Sequence, residues 1–227
     1  MTIRVLLTVA LLISVFSLPD AVADDDHKLK VVKEVPKGLS PEIEKLIDAT
    51  GHQITGAKGA VVELWLLKSL PIKGGFKSSA SQLYPFTPGQ LLGAMRVPKG
   101  AEYTDFRGQE IASGTYTLRY GLQPEDGNHL GTSDTADFIL ALPAKIDTKP
   151  ATIEDFDKLA EHSGKAAGST HPAIFSLLDP ADAGKEAKLS EDKSNDDWIL
   201  NFVGKGEAGG KTSDLMIRLV VVGESEA

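Results

Sequence analysis

The sequence contains no cysteine among its 227 residues. This absence excludes disulfide bonds, thiolate metal sites and cysteine nucleophiles. About 200 residues follow the N-terminal apolar segment, enough to bury a hydrophobic core without disulfides. We therefore expect a globular protein that is held together by packing and hydrogen bonding.

Clusters of basic residues are also missing. The 24 Lys and Arg residues are outnumbered by 32 Asp and Glu, which gives a net charge of −8. Nucleic acids and anionic membrane surfaces are bound by clustered Lys and Arg. The composition therefore argues against a nucleic acid as partner. A protein, a sugar or a small molecule stays open as partner.

Several catalytic motifs are absent from the sequence. There is no G-x-S-x-G nucleophile elbow, no Gly-rich phosphate loop after a strand, and no pair of histidines at i, i+4 spacing. These absences favour a non-catalytic protein over an enzyme, and no cofactor is identified.

The N-terminus has the order of features of a secretory signal peptide. Arg4 precedes an apolar run from Val5 to Leu18, and Ala21-Val22-Ala23 supplies small residues for signal peptidase. A transmembrane helix needs about 20 apolar residues, and this run is shorter. The sequence predicts a signal peptide over residues 1–23, a periplasmic or extracellular mature protein, and no membrane span after cleavage.

The rest of the chain is dominated by strand patterns. Residues 59–68 are apolar on both faces and predict a central strand, and residues 114–122 alternate cleanly. Seven to nine short strands with turn signals between them predict a single β-sandwich domain over residues 24–227, Ig-like or jelly-roll-like. The other strands are expected at residues 28–35, 91–97, 137–142, 173–178, 198–203 and 214–222, the last two joined as a hairpin.

The inward-facing positions of these strands predict the core, which comprises Val62, Leu64, Leu66, Tyr116, Leu118, Phe138, Leu140, Phe202, Ile217 and Leu219.

Two short helices are predicted to decorate the sandwich. Ser40 and Pro41 suit the N-cap and first position of one helix, which Gly51 would end. Thr152 would cap a second helix over residues 152–162. The charged segment 183–197 predicts an exposed loop.

The polar segment 123–137 is the candidate binding site. It joins two strong strands, which would hold its side chains in place, and loops of this kind often carry function. We expect His129, Asp126 and Asn128 to contact a ligand, with Arg119 on the preceding strand as an anion contact. A solvated turn and a solvated strand face are the structural alternatives.

The same segment offers a metal site as an alternative. His129, Asp126, Asp134 and Asp137 supply imidazole and carboxylate ligands, although their spacing matches no known metal signature. Two functions therefore stay open: an exported non-catalytic binding or interaction module, and a metal-dependent hydrolase that uses this loop.

The run GTYTLRYGLQP at residues 114–124, followed by Asp126-Gly127-Asn128-His129 and Asp137-Phe138, resembles a segment of uncharacterised exported bacterial proteins. An E-x-W strand, here Glu63-Leu64-Trp65, belongs to this resemblance, which covers roughly residues 59–142. More loosely, the GTYTL motif is similar to the DUF2911 group of bacterial β-sandwich proteins. Neither brings a known activity, so the resemblance implies an exported β-sandwich and favours the His129 loop.

Export with cleavage is directly testable. We expect protein expressed with its own leader to begin at or near Asp24, because signal peptidase cuts after the small residue that closes the leader. Intact-mass analysis measures this. Soluble protein that keeps Met1 to Ala23 would contradict the prediction.

Overall fold

The computed structural model describes residues 27–123 and 135–225, and its secondary structure is mostly strand. The strands are β1 (Lys28–Val32), β2 (Gly51–Gly56), β3 (Gly59–Leu66), β4 (Leu70–Pro71), β5 (Leu91–Val97), β6 (Gly114–Leu122), β7 (Asp137–Pro143), β8 (Ile174–Leu178), β9 (Lys188–Asp192), β10 (Asp197–Ala208) and β11 (Lys211–Val222). The helices are α1 (Pro41–Glu44) and α2 (Phe156–Ala167), with a 3₁₀ turn at Pro180–Asp182. No helix within the described ranges is long and apolar enough to cross a membrane.

The strands form one continuous sheet that folds back on itself. Their order is β1-β2-β3-β5-β6-β7-β8-β11-β10-β4, and β9 also pairs with β10. The pairs are antiparallel except β4 with β10. Strand β8 joins the two halves, and β1 approaches β9, so the sheet is nearly closed. The predicted mostly β fold with two short helices is confirmed. The two layers of the predicted sandwich are the two halves of one sheet, which is nearly closed into a barrel.

The predicted core is confirmed, since all ten of its residues are buried. Most of them pack between the two halves of the sheet. Phe138 and Leu140 instead join Leu159 of α2 in a second cluster on the opposite face of β7. Strand β7 is therefore buried on both faces, which explains its continuous apolar sequence.

The helix boundaries differ from the prediction. Ser40 is the N-cap of α1, as predicted, and its hydroxyl accepts a hydrogen bond from the Ile43 amide at 3.3 Å. The helix ends at Glu44, and Gly51 begins β2 instead of ending the helix. A Cβ at Gly51 would lie 2.1 Å from Nε1 of Trp65, so the glycine is required for close packing.

The second helix starts later than predicted. Asp155, not Thr152, is the N-cap of α2 and accepts a hydrogen bond from the Lys158 amide. The Ile153 amide instead donates to the Gly89 carbonyl at 3.2 Å, which holds the preceding segment against the sheet. The helix continues to Ala167, with Gly168 as its C-cap, instead of ending at residue 162.

The C-terminal strands are also more extensive than predicted. Residues 188–192, expected in a loop, form β9 along the edge of β10. Strands β10 and β11 continue to a two-residue turn at Gly209-Gly210, with φ of 57° and 74°. Positive φ at both positions is what a type I′ hairpin requires.

The turn glycines provide a test of the hairpin. Gly210→Ala should lower the free energy of unfolding by about 1–2 kcal/mol, because alanine is disfavoured at positive φ. Gly184 is the matched control, since a Cβ would meet no atom at either glycine and Gly184 lies outside the positive-φ region. Urea unfolding of Gly184→Ala should show no loss. Equal losses in both variants would contradict the assigned turn.

Candidate functional site

Several residues of the predicted site lie outside the described residues. His129, Asp126, Asn128 and Asp134 fall between residues 123 and 135, so their predicted roles stay predictions. Arg119 and Asp137, which flank this segment, are described.

Arg119 is fully buried, and its hydrogen-bonding capacity is used inside the protein. Nε and Nη2 donate to the two carboxylate oxygens of Asp147 at 2.6 and 2.8 Å. Nη1 donates to the carbonyls of Gly89 and Ala151, and Nη2 to that of Lys149. These contacts account for all five guanidinium N–H groups.

The prediction of Arg119 as an anion contact is therefore wrong, as is the alternative of a solvated strand face. An anion would have to displace Asp147 or a backbone carbonyl from a side chain that has no exposed surface. Arg119 instead ties residues 147–151 to β6, and Thr117 adds a hydrogen bond to Asp147. Its role is to hold this segment in place.

Asp137, one of the predicted metal ligands, is also buried and occupied. Its carboxylate accepts hydrogen bonds from the amides of Leu83 and Tyr84 and from the hydroxyl of Tyr120, at 2.9, 3.1 and 2.5 Å. Burial, with the bond to Asp137, raises the pKa of Tyr120, so the phenol stays a donor at neutral pH. Among residues 27–123 and 135–225, no group of three His, Asp or Glu side chains is placed to hold a metal ion.

The E-x-W strand forms a different constellation on β3. The register places Glu63 opposite Gln53 of β2 on one side and opposite Arg96 of β5 on the other. Gln53 Nε2 donates to Glu63 Oε1 at 2.5 Å, and Arg96 Nε donates to Oε2 at 2.5 Å. Glu63 is only 2% exposed, so these two donors offset the cost of burying its charge.

Trp65 lies two residues further along β3, on the same face as Glu63. Its ring is buried and packs over Gly51. The indole N–H has no hydrogen-bond partner among the described residues. A buried donor without an acceptor is costly, so the indole N–H of Trp65 contrasts with Glu63, whose two oxygens both accept hydrogen bonds.

Glu63, Trp65 and Arg96 line a cavity of about 310 Å³ that residues 32–37 close from the other side. We call it the outer-face cavity, because it lies on the face of β3 opposite the core residue Leu64. Segment 32–37, which connects β1 towards α1, contributes both the apolar side chains of Val32, Val35 and Pro36 and the charged ones between them.

Arg96 is the exposed member of this constellation. Its side chain is 45% exposed, in contrast to the fully buried Arg119. Within the described parts of the chain, Nη1 and Nη2 of Arg96 make no hydrogen bond, since only Nε is engaged by Glu63. The bond to Glu63 raises the pKa of Arg96 and fixes its orientation.

A second cavity, of about 500 Å³, lies at the turn between β2 and β3. His27 Nδ1 and the Tyr103 hydroxyl, both from residues lining it, are buried without a partner among the described residues. Burial raises the pKa of Tyr103, so its hydroxyl stays protonated. The exposed Lys58–Glu102 ion pair, at 2.8 Å, also belongs to this cavity.

No protein family model, curated protein or solved structure was found to match the chain. The candidate site therefore depends on its own geometry. Glu63 and Trp65 were visible in the sequence as an E-x-W strand, and their spacing of two puts them on one face. Arg96 and Gln53 were missed, because only the strand register brings them beside Glu63.

The internal role of Arg119 predicts a large effect on stability. Arg119→Met should lower the free energy of unfolding by about 3–5 kcal/mol, because Asp147 is left buried and unpaired. Arg119→Met combined with Asp147→Leu should recover much of this loss. Urea unfolding measures both variants.

The control is Glu102→Gln, which breaks the exposed Lys58–Glu102 pair and should change stability far less. Similar losses for Arg119→Met and Glu102→Gln would show that Arg119 does not hold the segment.

Proposed function

We propose that this protein is an exported, non-catalytic binding module and that its outer-face cavity takes a small ligand. The observation that carries the proposal is the state of Arg96, which is half-exposed. Its Nε donates to the buried Glu63 carboxylate, while Nη1 and Nη2 make no hydrogen bond with the described residues. Such an arginine is oriented before a ligand arrives, so binding costs little reordering.

The size of the cavity favours a small molecule over a protein partner. Ligand sites in proteins measure about 300–1,000 Å³ and combine apolar walls with a few fixed polar groups. At about 310 Å³, the outer-face cavity lies at the lower end of this range. Its walls are Val32, Val35, Pro36 and the Trp65 ring, and its fixed polar group is Arg96.

The chemistry of the cavity supports binding rather than catalysis. Both Glu63 oxygens accept hydrogen bonds, so this carboxylate positions Arg96 and is not set up as a base. The cavity offers fixed donors and apolar surface, which recognise a ligand. The alternative, a metal-dependent hydrolase, places its chemistry at residues 123–137, and no observation on the described residues favours it.

Tryptophan fluorescence can test the proposal directly. The chain has two tryptophans, so Trp198→Phe leaves Trp65 as the sole indole reporter in the cavity. We expect at least one of four probes, phenylacetate, phenylacetamide, glucose or inorganic phosphate, to change its emission saturably. Val32→Phe in this background should weaken that binding at least tenfold by filling the cavity.

The matched control is Val31→Phe, the neighbouring position on β1, whose side chain is exposed and does not line the cavity. It should leave the titration unchanged. If no probe alters the Trp65 emission, or if Val32→Phe and Val31→Phe behave alike, the cavity is not the binding site.

A further inference from the structure

Positive charge is concentrated around the outer-face cavity. Arg96 also lines a neighbouring open cleft of about 530 Å³, so the two spaces share this side chain. Together they are lined by four cationic side chains and two carboxylates: Lys33, Lys37, Arg96 and Lys99 against Glu34 and Glu63. The protein as a whole carries a net charge of −8, so the lining of these two spaces has the opposite sign to the net charge of the chain.

The unbound polar groups of Arg96 are all donors. A guanidinium has five N–H groups and no acceptor, and Glu63 occupies only the one on Nε. The four N–H groups on Nη1 and Nη2 form the end of the planar fork. Two parallel N–H groups in this geometry match the two oxygens of a carboxylate.

Only one of the two carboxylates of the lining, Glu34, has oxygens left for a cationic ligand. Glu63 accepts from Gln53 and Arg96, and it is 2% exposed. Glu34 is the other carboxylate of the lining, and Lys33 and Lys37 lie on the same segment. A ligand that brings negative charge is therefore favoured over one that brings positive charge.

We infer that the ligand of the outer-face cavity is a small organic carboxylate with an apolar body. Its carboxylate is bound end-on by Nη1 and Nη2 of Arg96, and its body lies against Val32, Val35, Pro36 and the ring of Trp65. Lys37 adds long-range attraction from the rim. This inference rests on the proposed binding function and specifies the class of ligand.

Matched acid and amide pairs test the inference, because they differ in charge and hardly in shape. We use phenylacetate with phenylacetamide and hexanoate with hexanamide, titrated into the Trp198→Phe protein. In at least one pair the acid should bind at least tenfold more tightly than the amide. The affinity of the acid should fall with added salt, and that of the amide should not.

The variants are chosen to keep the fold intact. Arg96→Gln alone would leave Glu63 buried without its charged partner, so it is combined with Glu63→Gln, which leaves a neutral pair able to hydrogen-bond. This double variant should lose the preference for the acid. Lys37→Gln, at an exposed position, should weaken acid binding a few-fold and leave amide binding unchanged. Arg107→Gln, an exposed arginine away from the cavity, is the control and should change neither.

The outcomes separate the two proposals. Amides that bind as tightly as their acids, or an acid preference that survives in the double variant, would overturn the carboxylate inference and leave the binding function standing. Saturable binding of glucose without binding of phenylacetate or hexanoate would also overturn the carboxylate inference and leave the binding function standing. Absence of binding by every probe would overturn both.

Discussion

The outer face of the sheet carries two arginines, Arg96 and Arg119, whose charges must be neutralised. The segments that cover this face, residues 32–37 and 147–151, pack against these two side chains. Arg119 on β6 and Arg96 on β5 each pair with a buried carboxylate through Nε. Arginine keeps its charge under all ordinary conditions, so neither site can relax by deprotonation. The two sites differ in what covers them. Residues 147–151 close over Arg119 and bond to its remaining nitrogens, whereas residues 32–37 leave half of Arg96 open.

The same ion-pair chemistry therefore stabilises the fold at one position and leaves donors for a ligand at the other. Around Arg119, three backbone carbonyls complete the hydrogen bonding, so the side chain acts as a fixed cross-link between β6 and its cover. Around Arg96, Glu63 is the only bonded partner within the described residues, and Nη1 and Nη2 make no hydrogen bond there. Burial, rather than residue type, decides between the two roles.

Patterns with a short period were readable from the sequence. The limits of β5 and β6 and all ten core residues followed from alternation and apolar content. Contacts between distant segments were not readable. The alternation of β6 correctly placed Arg119 and Leu118 on opposite faces of the sheet. Nothing in the pattern showed that residues 147–151 would cover Arg119. The start of α2 was misplaced for a related reason, since the Ile153 amide is hydrogen-bonded to Gly89, in the turn that precedes β5.

For the same reason, only part of the candidate site could be predicted from the sequence. Spacing within one strand put Glu63 and Trp65 on one face, but their neighbours depend on register across three strands. The cavity also needs β1 and the segment after it. Strand β1 begins at Lys28, four positions after the predicted mature N-terminus at Asp24, and pairs with β2 along its length. Cleavage at Asp24 would leave this strand whole, whereas loss of β1 would free residues 32–37 from the sheet and open the cavity. The position of the predicted cleavage site is thus compatible with the proposed binding site, because a chain that begins at Asp24 keeps all of β1.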